Sequence, residues 1–553
     1  MRWRVLIFAA LFLCGQVHAV EIAEFCPDTY LNGEGDEYFI LKGDSSLEDV
    51  TIGDGEGSIR FPPGSYLRGA VVVAREARSF EVVHHYLPDF ELFDTSTAVP
   101  DVIRTGDLRL ANLEDELTLL INGIPVQHIA WPEDVTCREG QVHFQQDGVW
   151  DPRPLLIGQS RFEPMVFENV TVTAFVSPDC SSEVLREALS GARKSVQVSI
   201  YEFTDPSIAA LLANVSRVGV DVSVLMEGGP VGGIPPEEYG VVDLLTGSGI
   251  QVYQMTTTDL CHARYRFTHA KYCIIDDDHV FITSENFKPG GFPQAGGSGN
   301  RGWGAYLENE FLAAYFQEVF QADLSGDDII PFDVRPGGMD TVTYGLYEVE
   351  FTPCTFSGAT VTPVISPDTS DLIYEMINDA KTSIDIEQAY ISNWSHERIN
   401  PYISAALNAS KRGVRVRVLL DSYWYNVEEE EDNDEMAAFL NAYAKREGLA
   451  LEARCADLDG SNLLKIHNKG MIVDGEQVLI SSINWNENSP SFNREAGVII
   501  RHPGVGDYYT RVFEDDWNAS TTQKFENSGF LRLAASVLVV LVLILLYISR
   551  RRR

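Results

Sequence analysis

The sequence predicts a multidomain chain: an all-β sandwich first, then two copies of one α/β domain, then a C-terminal transmembrane helix. Three observations predict it. A constellation of residues recurs at a displacement of 189 positions through the middle of the chain. Residues 20–136 are short β-like runs broken by turn signals, and long apolar runs occur only at the two ends. A repeat this long is a duplicated domain, since solenoid units run to about 20–50 residues. The 553 residues hold three or four domains at roughly 100–200 residues each. Apolar residues make up 45% of the chain and aromatics 10%, which excludes wholesale disorder and fibrous repeats. Eight cysteines are too few for a disulfide-dense scaffold, and two terminal apolar runs do not make a multi-pass membrane protein.

Residues 1–19 read as a signal peptide: Arg2 and Arg4, the apolar run Val5 to Cys14, then Val17-His18-Ala19, with cleavage expected after Ala19. In residues 20–136 the run Leu117 to Val126 carries Asn122-Gly123, the signal for a hairpin with a type I′ turn, and the whole reads as a β-sandwich. With Glu37-Tyr38-Phe39-Ile40-Leu41 near its start, this region resembles the lamin-tail domain, an immunoglobulin-like module. The resemblance implies an adhesion or positioning role, and no catalytic residue is assigned there. Residues 137–159 are expected to be a linker.

The repeat comes next. Phe162, Pro164, Phe167, Val172-Thr173 and Ser177-Pro178-Asp179 return as Phe351, Pro353, Phe356, Val361-Thr362 and Ser366-Pro367-Asp368. Each copy continues with a helix-like segment (Val184 to Arg193, Leu372 to Lys381) preceded by Asp, Ser and Thr suited to N-capping. A strand-like segment follows (Ser195 to Phe203, Ser383 to Ile391), then a second helix and a second strand ending in Glu227 or Asp421. Strands alternating with helices indicate α/β units on a largely buried sheet. The halves are expected at 160–330 and 348–522, joined by Pro331 to Met339.

At the C-terminus, residues 530–549 are expected to span a membrane. Leu533 to Ile548 is nearly all apolar, Arg532 can snorkel to the interface, and Arg550 to Arg553 (residues 550–553) form a basic tail that belongs on the cytoplasmic side. The body between the two membrane signals is therefore expected outside the cell membrane, anchored by a single span. The sequons at Asn169, Asn214, Asn393, Asn408 and Asn518 fit export. With 81 acidic against 42 basic residues the net charge is −39, which repels nucleic acid and anionic lipid at low salt and is tolerable where salt screens it.

Each half holds one His-x-Lys-x4-Asp: His269, Lys271 and Asp276, then His467, Lys469 and Asp474. Each histidine is followed at +15 and +17 by Ser and Asn: Ser284 and Asn286, then Ser482 and Asn484. In a strand, residues i and i+2 share a face, so each His–Lys pair is expected to point into one cleft. Each Asp has the opposite parity and is expected to brace the hairpin. Two halves face to face would give two imidazoles, two ammoniums, two hydroxyls and two amides around one anion. That set suits a phosphodiester. One histidine attacks phosphorus to form a phosphohistidine, and the other protonates the leaving alkoxide and then activates water. Lysines, serines and asparagines hold the phosphoryl oxygens. No metal or other cofactor is required, and the lone His262 and His279 have no ligand spacing around them.

These paired motifs resemble the phospholipase D superfamily over both halves. The resemblance implies a carboxylate that orients the histidine, and in the second half Asn493-Arg494-Glu495 puts Glu495 in that place, serving His467. In the first half Asn300-Arg301 match, but Gly302 stands where the carboxylate is expected, after a Gly-rich insertion from Gly290; Glu308 is the candidate substitute. The resemblance makes the N-terminal-half histidine the nucleophile, whereas local wiring favours His467. Both assignments stay open here, with His269 the first choice. The expected partner is a phosphodiester, bound by both halves within a monomer: a phospholipid if membrane anchoring sets the substrate, or DNA or RNA if the protein is a surface nuclease, which lamin-tail domains often accompany. A non-catalytic surface binding protein is the third reading. Arg264, Arg266, Lys288, Arg301, Lys465 and Arg494 are expected to form a local basic set, and Glu428 to Asp434 an acidic insertion.

Overall fold

The computed structural model describes residues 20–519 except 32, 113, 132–138, 147, 152, 154, 259–261, 340–344, 395–397 and 429–431. The expected signal peptide (1–19) and membrane span (530–549) with its basic tail lie outside the described residues. Among those described, no helix is long and apolar enough to cross a membrane.

Two sheets of six and five strands form the N-terminal region. The strands alternate as a half-buried sheet requires: in Asp115–Ile121, Leu117 and Leu119 are fully buried while their neighbours are half exposed. Phe25, Phe39, Ile52, Leu67 and Trp131 complete the core between the sheets. At the hairpin tip Asn122 and Gly123 have φ of 53° and 76°, the two left-handed residues of a type I′ turn.

The expected linker is a correction. His143–Gln146 pairs antiparallel with Val20–Cys26, and Val149–Trp150 adds an edge strand, so these two strands help to close the sandwich. A four-residue strand and a two-residue strand carry too little alternation to be seen locally. The long-range partner of His143–Gln146 lies more than 100 residues away, and Gln145 donates from Nε2 to the carbonyl of Ile22 at 2.8 Å.

The duplicated body is one 15-stranded sheet. Phe167–Ser177 and Cys354–Ser366, the first strands of the two copies, pair antiparallel at its middle and join the halves edge to edge. In each half the α/β units give three parallel strands: Ser195–Ile200, Asp221–Glu227 and Gln251–Met255, then Ser383–Gln388, Arg415–Leu420 and Leu451–Cys455. An antiparallel hairpin follows (Lys271–Ile275 with His279–Thr283, Lys469–Val473 with Gln477–Ser481), flanked by Gly302–Glu308 or Glu495–Arg501.

The first helix of each copy, Ser181–Gly191 and Asp371–Asp379, has no side-chain cap. The aspartates expected there are engaged elsewhere. Asp179 binds the Arg301 guanidinium at 2.7 Å, and Asp368 binds that of Arg494 at 3.4 Å. Each arginine also reaches the other half: Arg301 to Asp516 at 2.8 Å, Arg494 to Asp323 at 2.9 Å. All six side chains are buried, so removing one partner strands a carboxylate pair in a low-dielectric interior. Arg301→Met is expected to destabilise the body by about 3–5 kcal/mol, measured as a lowered urea midpoint. A change below about 1 kcal/mol, the worth of an exposed ion pair, would show that the buried arginine is not what holds the two carboxylates.

Candidate active site

Backbone exchange between the halves places the histidines. The amide of His269 donates to the carbonyl of Arg494, and the amide of Arg494 to that of Phe267; His467 and Arg301 with Lys465 do the same in mirror fashion, all at 2.8–2.9 Å. The residue before each motif is also held. Glu227 accepts from the Thr268 amide at 2.6 Å, and Asp421 from the Ile466 amide at 2.7 Å. Both carboxylates end a parallel strand, so the sheet itself aims each motif at the junction.

Lys271 and Lys469 have no exposed surface, and each donates to the carbonyl of its own histidine at 2.6 Å. Two of the three ammonium donors are thereby left for a ligand. The Tyr201 ring lies edge-on to His269 at 4.5 Å, with the Lys271 ammonium 5.3 Å from its centre. Asp276 and Asp474 stand at the far end of the hairpin strands. They accept from the amides of Arg193, Lys194 and Ser195, and of Lys381, Thr382 and Ser383, and do not reach the cleft. Burial alone would raise both carboxyls, but these amides outweigh it and hold them below the usual range.

The carboxylate wiring differs from the sequence expectation. Glu495 does not serve His467: its Oε2 lies 2.7 Å from Nδ1 of His269, in the other half. Nor does Glu308 substitute in the first half, because it is exposed on the outer end of its strand. His467 instead has Glu285, with Oε1 at 3.2 Å from Nδ1. The Gly302 gap explains the exchange. A Cβ at Gly302 would come within 2.4 Å of Glu285 Oε1, so the Glu285 carboxylate fills the space that Glu495 fills in the second copy. The supports match as well: Asn300 donates to Glu285 at 2.9 Å, and Asn493 to Glu495 at 3.0 Å.

The hydroxyls are corrections too. Ser482 is buried and hydrogen-bonds Glu495 at 2.5 Å, while Ser284 accepts from the Trp303 amide at 3.1 Å. Both hydroxyls are hydrogen-bonded within the fold and act as positioning groups. Asn286 donates to Glu202 at 3.2 Å, and Glu202 also binds Lys288 at 3.0 Å. The Oδ1 atoms of Asn286 and Asn484 are buried without a hydrogen-bond partner. Of the expected basic set, Arg301 and Arg494 are locked in the buried ion pairs and Arg264 is bound to Asp328 at 2.9 Å. Lys465 stays at the cleft, bound to the Tyr425 hydroxyl at 3.1 Å.

Glu285, Tyr201, Glu202, Glu227 and Asp421 were not legible as site residues. For Glu285 a signal exists: the repeat places apolar Ile483 opposite it and a glycine opposite Glu495, a reciprocal swap visible once the copies are aligned.

Electrostatics point one way. Burial pushes Lys271 down to about 8 against the pull of Glu495. Lys469 is driven well below its ordinary value by burial and then by the charge of Lys271. Burial lowers His269, partly offset by Glu495. His467 falls further, from burial and then the charges of Lys469, Lys465 and Lys271. Burial leads in all four cases, with the neighbouring ammoniums adding to it, and an anion bound between these groups would favour their protonated forms.

Among solved structures, phosphatidylserine synthase from Haemophilus influenzae Rd KW20 is similar at 15% identity, over 66% of this chain and 94% of that one, with a TM-score of 0.49. Nuc from Salmonella typhimurium, a phospholipase D family member, is 23% identical over 31% of this chain and 99% of its own, with a TM-score of 0.25. NucT from Helicobacter pylori is 16% identical over 30% and 99%, also with a TM-score of 0.25. No curated protein matches. The family model described as "Cardiolipin synthase, PLD-like domain" matches twice, at residues 185–324 and 373–517, so that each match encloses one His-x-Lys motif. The two matches cover more than half of the chain, which therefore belongs to this PLD-like family of the phospholipase D superfamily.

Proposed function

We propose that this protein is a phosphodiesterase acting on phospholipid, with His269 as nucleophile and His467 as acid and base. It is exported, and its C-terminal segment holds it at the outer face of the cell membrane. The observation that carries the reading is the pair of buried lysine ammoniums, each with one hydrogen bond, beside two histidines whose Nδ1 atoms face carboxylates. With Nδ1–H donated to the carboxylate, Nε2 keeps the lone pair that attacks phosphorus. The P–O bond to the leaving alcohol breaks as P–N forms, and His467 gives that oxygen its proton. Water then loses a proton to His467, attacks phosphorus and expels the His269 nitrogen. Lys271 and Lys469 hold the charge that grows on the phosphoryl oxygens.

The test assays release of the alcohol from phospholipid vesicles beside cleavage of single-stranded DNA, with EDTA present in both. Vesicle hydrolysis is expected to survive chelation. Activity lost to EDTA and restored by a divalent ion contradicts the mechanism. DNA cleavage with lipid untouched selects the surface-nuclease reading, and function unchanged in His269→Ala/His467→Ala selects the binding protein.

A further inference from the structure

Two loops leave the sheet beside the cleft, one from each half, at equivalent places. The first follows Asp221–Glu227, whose Glu227 holds the residue before His269; the second follows Arg415–Leu420, after which Asp421 holds the residue before His467. Each loop touches the groups around a histidine, the first through a backbone amide and the second through a tyrosine hydroxyl. The Val231 amide donates to the Tyr201 hydroxyl at 2.8 Å, and the Tyr201 ring packs on His269. Tyr425 takes the Lys465 ammonium, two residues from His467. The tips point outward: Val231 is 77% exposed, Trp424 59% and Tyr425 43%.

Neither loop carries a charge. Residues 228–236 are Gly, Pro, Val and Ile only, and residues 422–427 read Ser-Tyr-Trp-Tyr-Asn-Val. In a chain where 22% of residues are charged and the net is −39, uncharged apolar tips on both lips of a cleft need a reason. Exposed tryptophan and tyrosine prefer the headgroup level of a bilayer, where the ring is shielded and the polar edge stays wet. A stacking platform for a nucleic acid strand would instead require a cationic groove. Exposed Glu428 follows the second loop directly and repels anionic surfaces.

We propose that the Val231 and Trp424–Tyr425 tips dock the cleft mouth onto a zwitterionic phospholipid surface, so that the headgroup phosphodiester enters between the two histidines. This rests on the phospholipid reading above. The test compares the full-length protein with its Val231→Ser/Trp424→Ser variant on phosphatidylcholine vesicles and on short-chain phosphatidylcholine below its micellar concentration. The variant is expected to lose about tenfold on vesicles, from reduced apolar burial, and nothing on the monomeric lipid. An independent readout is the fluorescence difference between wild type and Trp424→Phe, which is expected to be quenched by vesicles of brominated phosphatidylcholine. Equal losses on both lipid forms, no loss on vesicles, or a loss confined to single-stranded DNA cleavage overturns the docking surface. If the wild type hydrolyses neither lipid form, the phospholipid reading fails and quenching alone decides: a quenched Trp424 upholds docking, an unquenched one refutes it.

Discussion

His269→Ala is expected to abolish the phosphoryl-enzyme and to lower turnover by at least roughly 10⁴-fold, the scale on which loss of a covalent nucleophile is felt. His467→Ala separates from it on a substrate whose leaving group needs no proton, such as a p-nitrophenyl phosphodiester. There the variant still accumulates the intermediate, because the acid is dispensable for the first step and only the water-activating step is lost. The carboxylate geometry supports this order, since His269 has the closer partner, 2.7 Å against 3.2 Å. Quenching without acid and mapping the labelled peptide decides it. A label on the His467 peptide reverses the assignment, and a label on neither argues against covalent catalysis.

The second large effect is expected at the carboxylates, and it crosses the halves. In Glu495→Gln an amide N–H faces Nδ1 of His269, favouring the tautomer whose Nε2 carries the proton and cannot attack. Formation of the intermediate should slow by roughly 10²–10⁴-fold even with the activated substrate. The pH profile gives a second readout. Glu495 raises the pKa of His269 against burial, so its neutralisation lets that pKa fall. Protonation of the nucleophile then sets in at lower pH, and the acidic limb moves down. Glu285→Gln should leave formation of the intermediate from the activated substrate untouched, while slowing its release by water and the first step of substrates with poor leaving groups. If Glu285→Gln blocks the activated substrate and Glu495→Gln does not, the roles of the histidines are exchanged.

The sequence carried the duplication, the paired motifs and the bracing role of Asp276 and Asp474, because each is a matter of spacing within one copy. Strand parity is local, so His269 with Lys271 could be placed on one side of the chain before any contact was known. What failed was whatever is decided by a contact with a separate strand or with the other half. Glu495 lies 28 residues after His467 yet turns to His269, since antiparallel joining of the two half-sheets brings each carboxylate to the opposite motif. Ser482 looked like a phosphate ligand because its position relative to His467 matched that of Ser284; its contact with Glu495 depends on the neighbouring strand. The same cause hid His143–Gln146, whose strand character is conferred by Val20–Cys26.

The exchange of Glu285 for a glutamate at position 302 has a consequence for how such a centre can diverge. In an assembly of two identical chains every substitution appears on both sides at once, so the two imidazoles must remain equivalent until substrate binds. Linking the copies in one polypeptide lifts that constraint. Here one lip of the cleft supplies its carboxylate from a hairpin end and the other from a neighbouring strand, at different distances from the ring. Each histidine can then be tuned for a single job, and a preferred direction for the substrate is written into the covalent order of the chain.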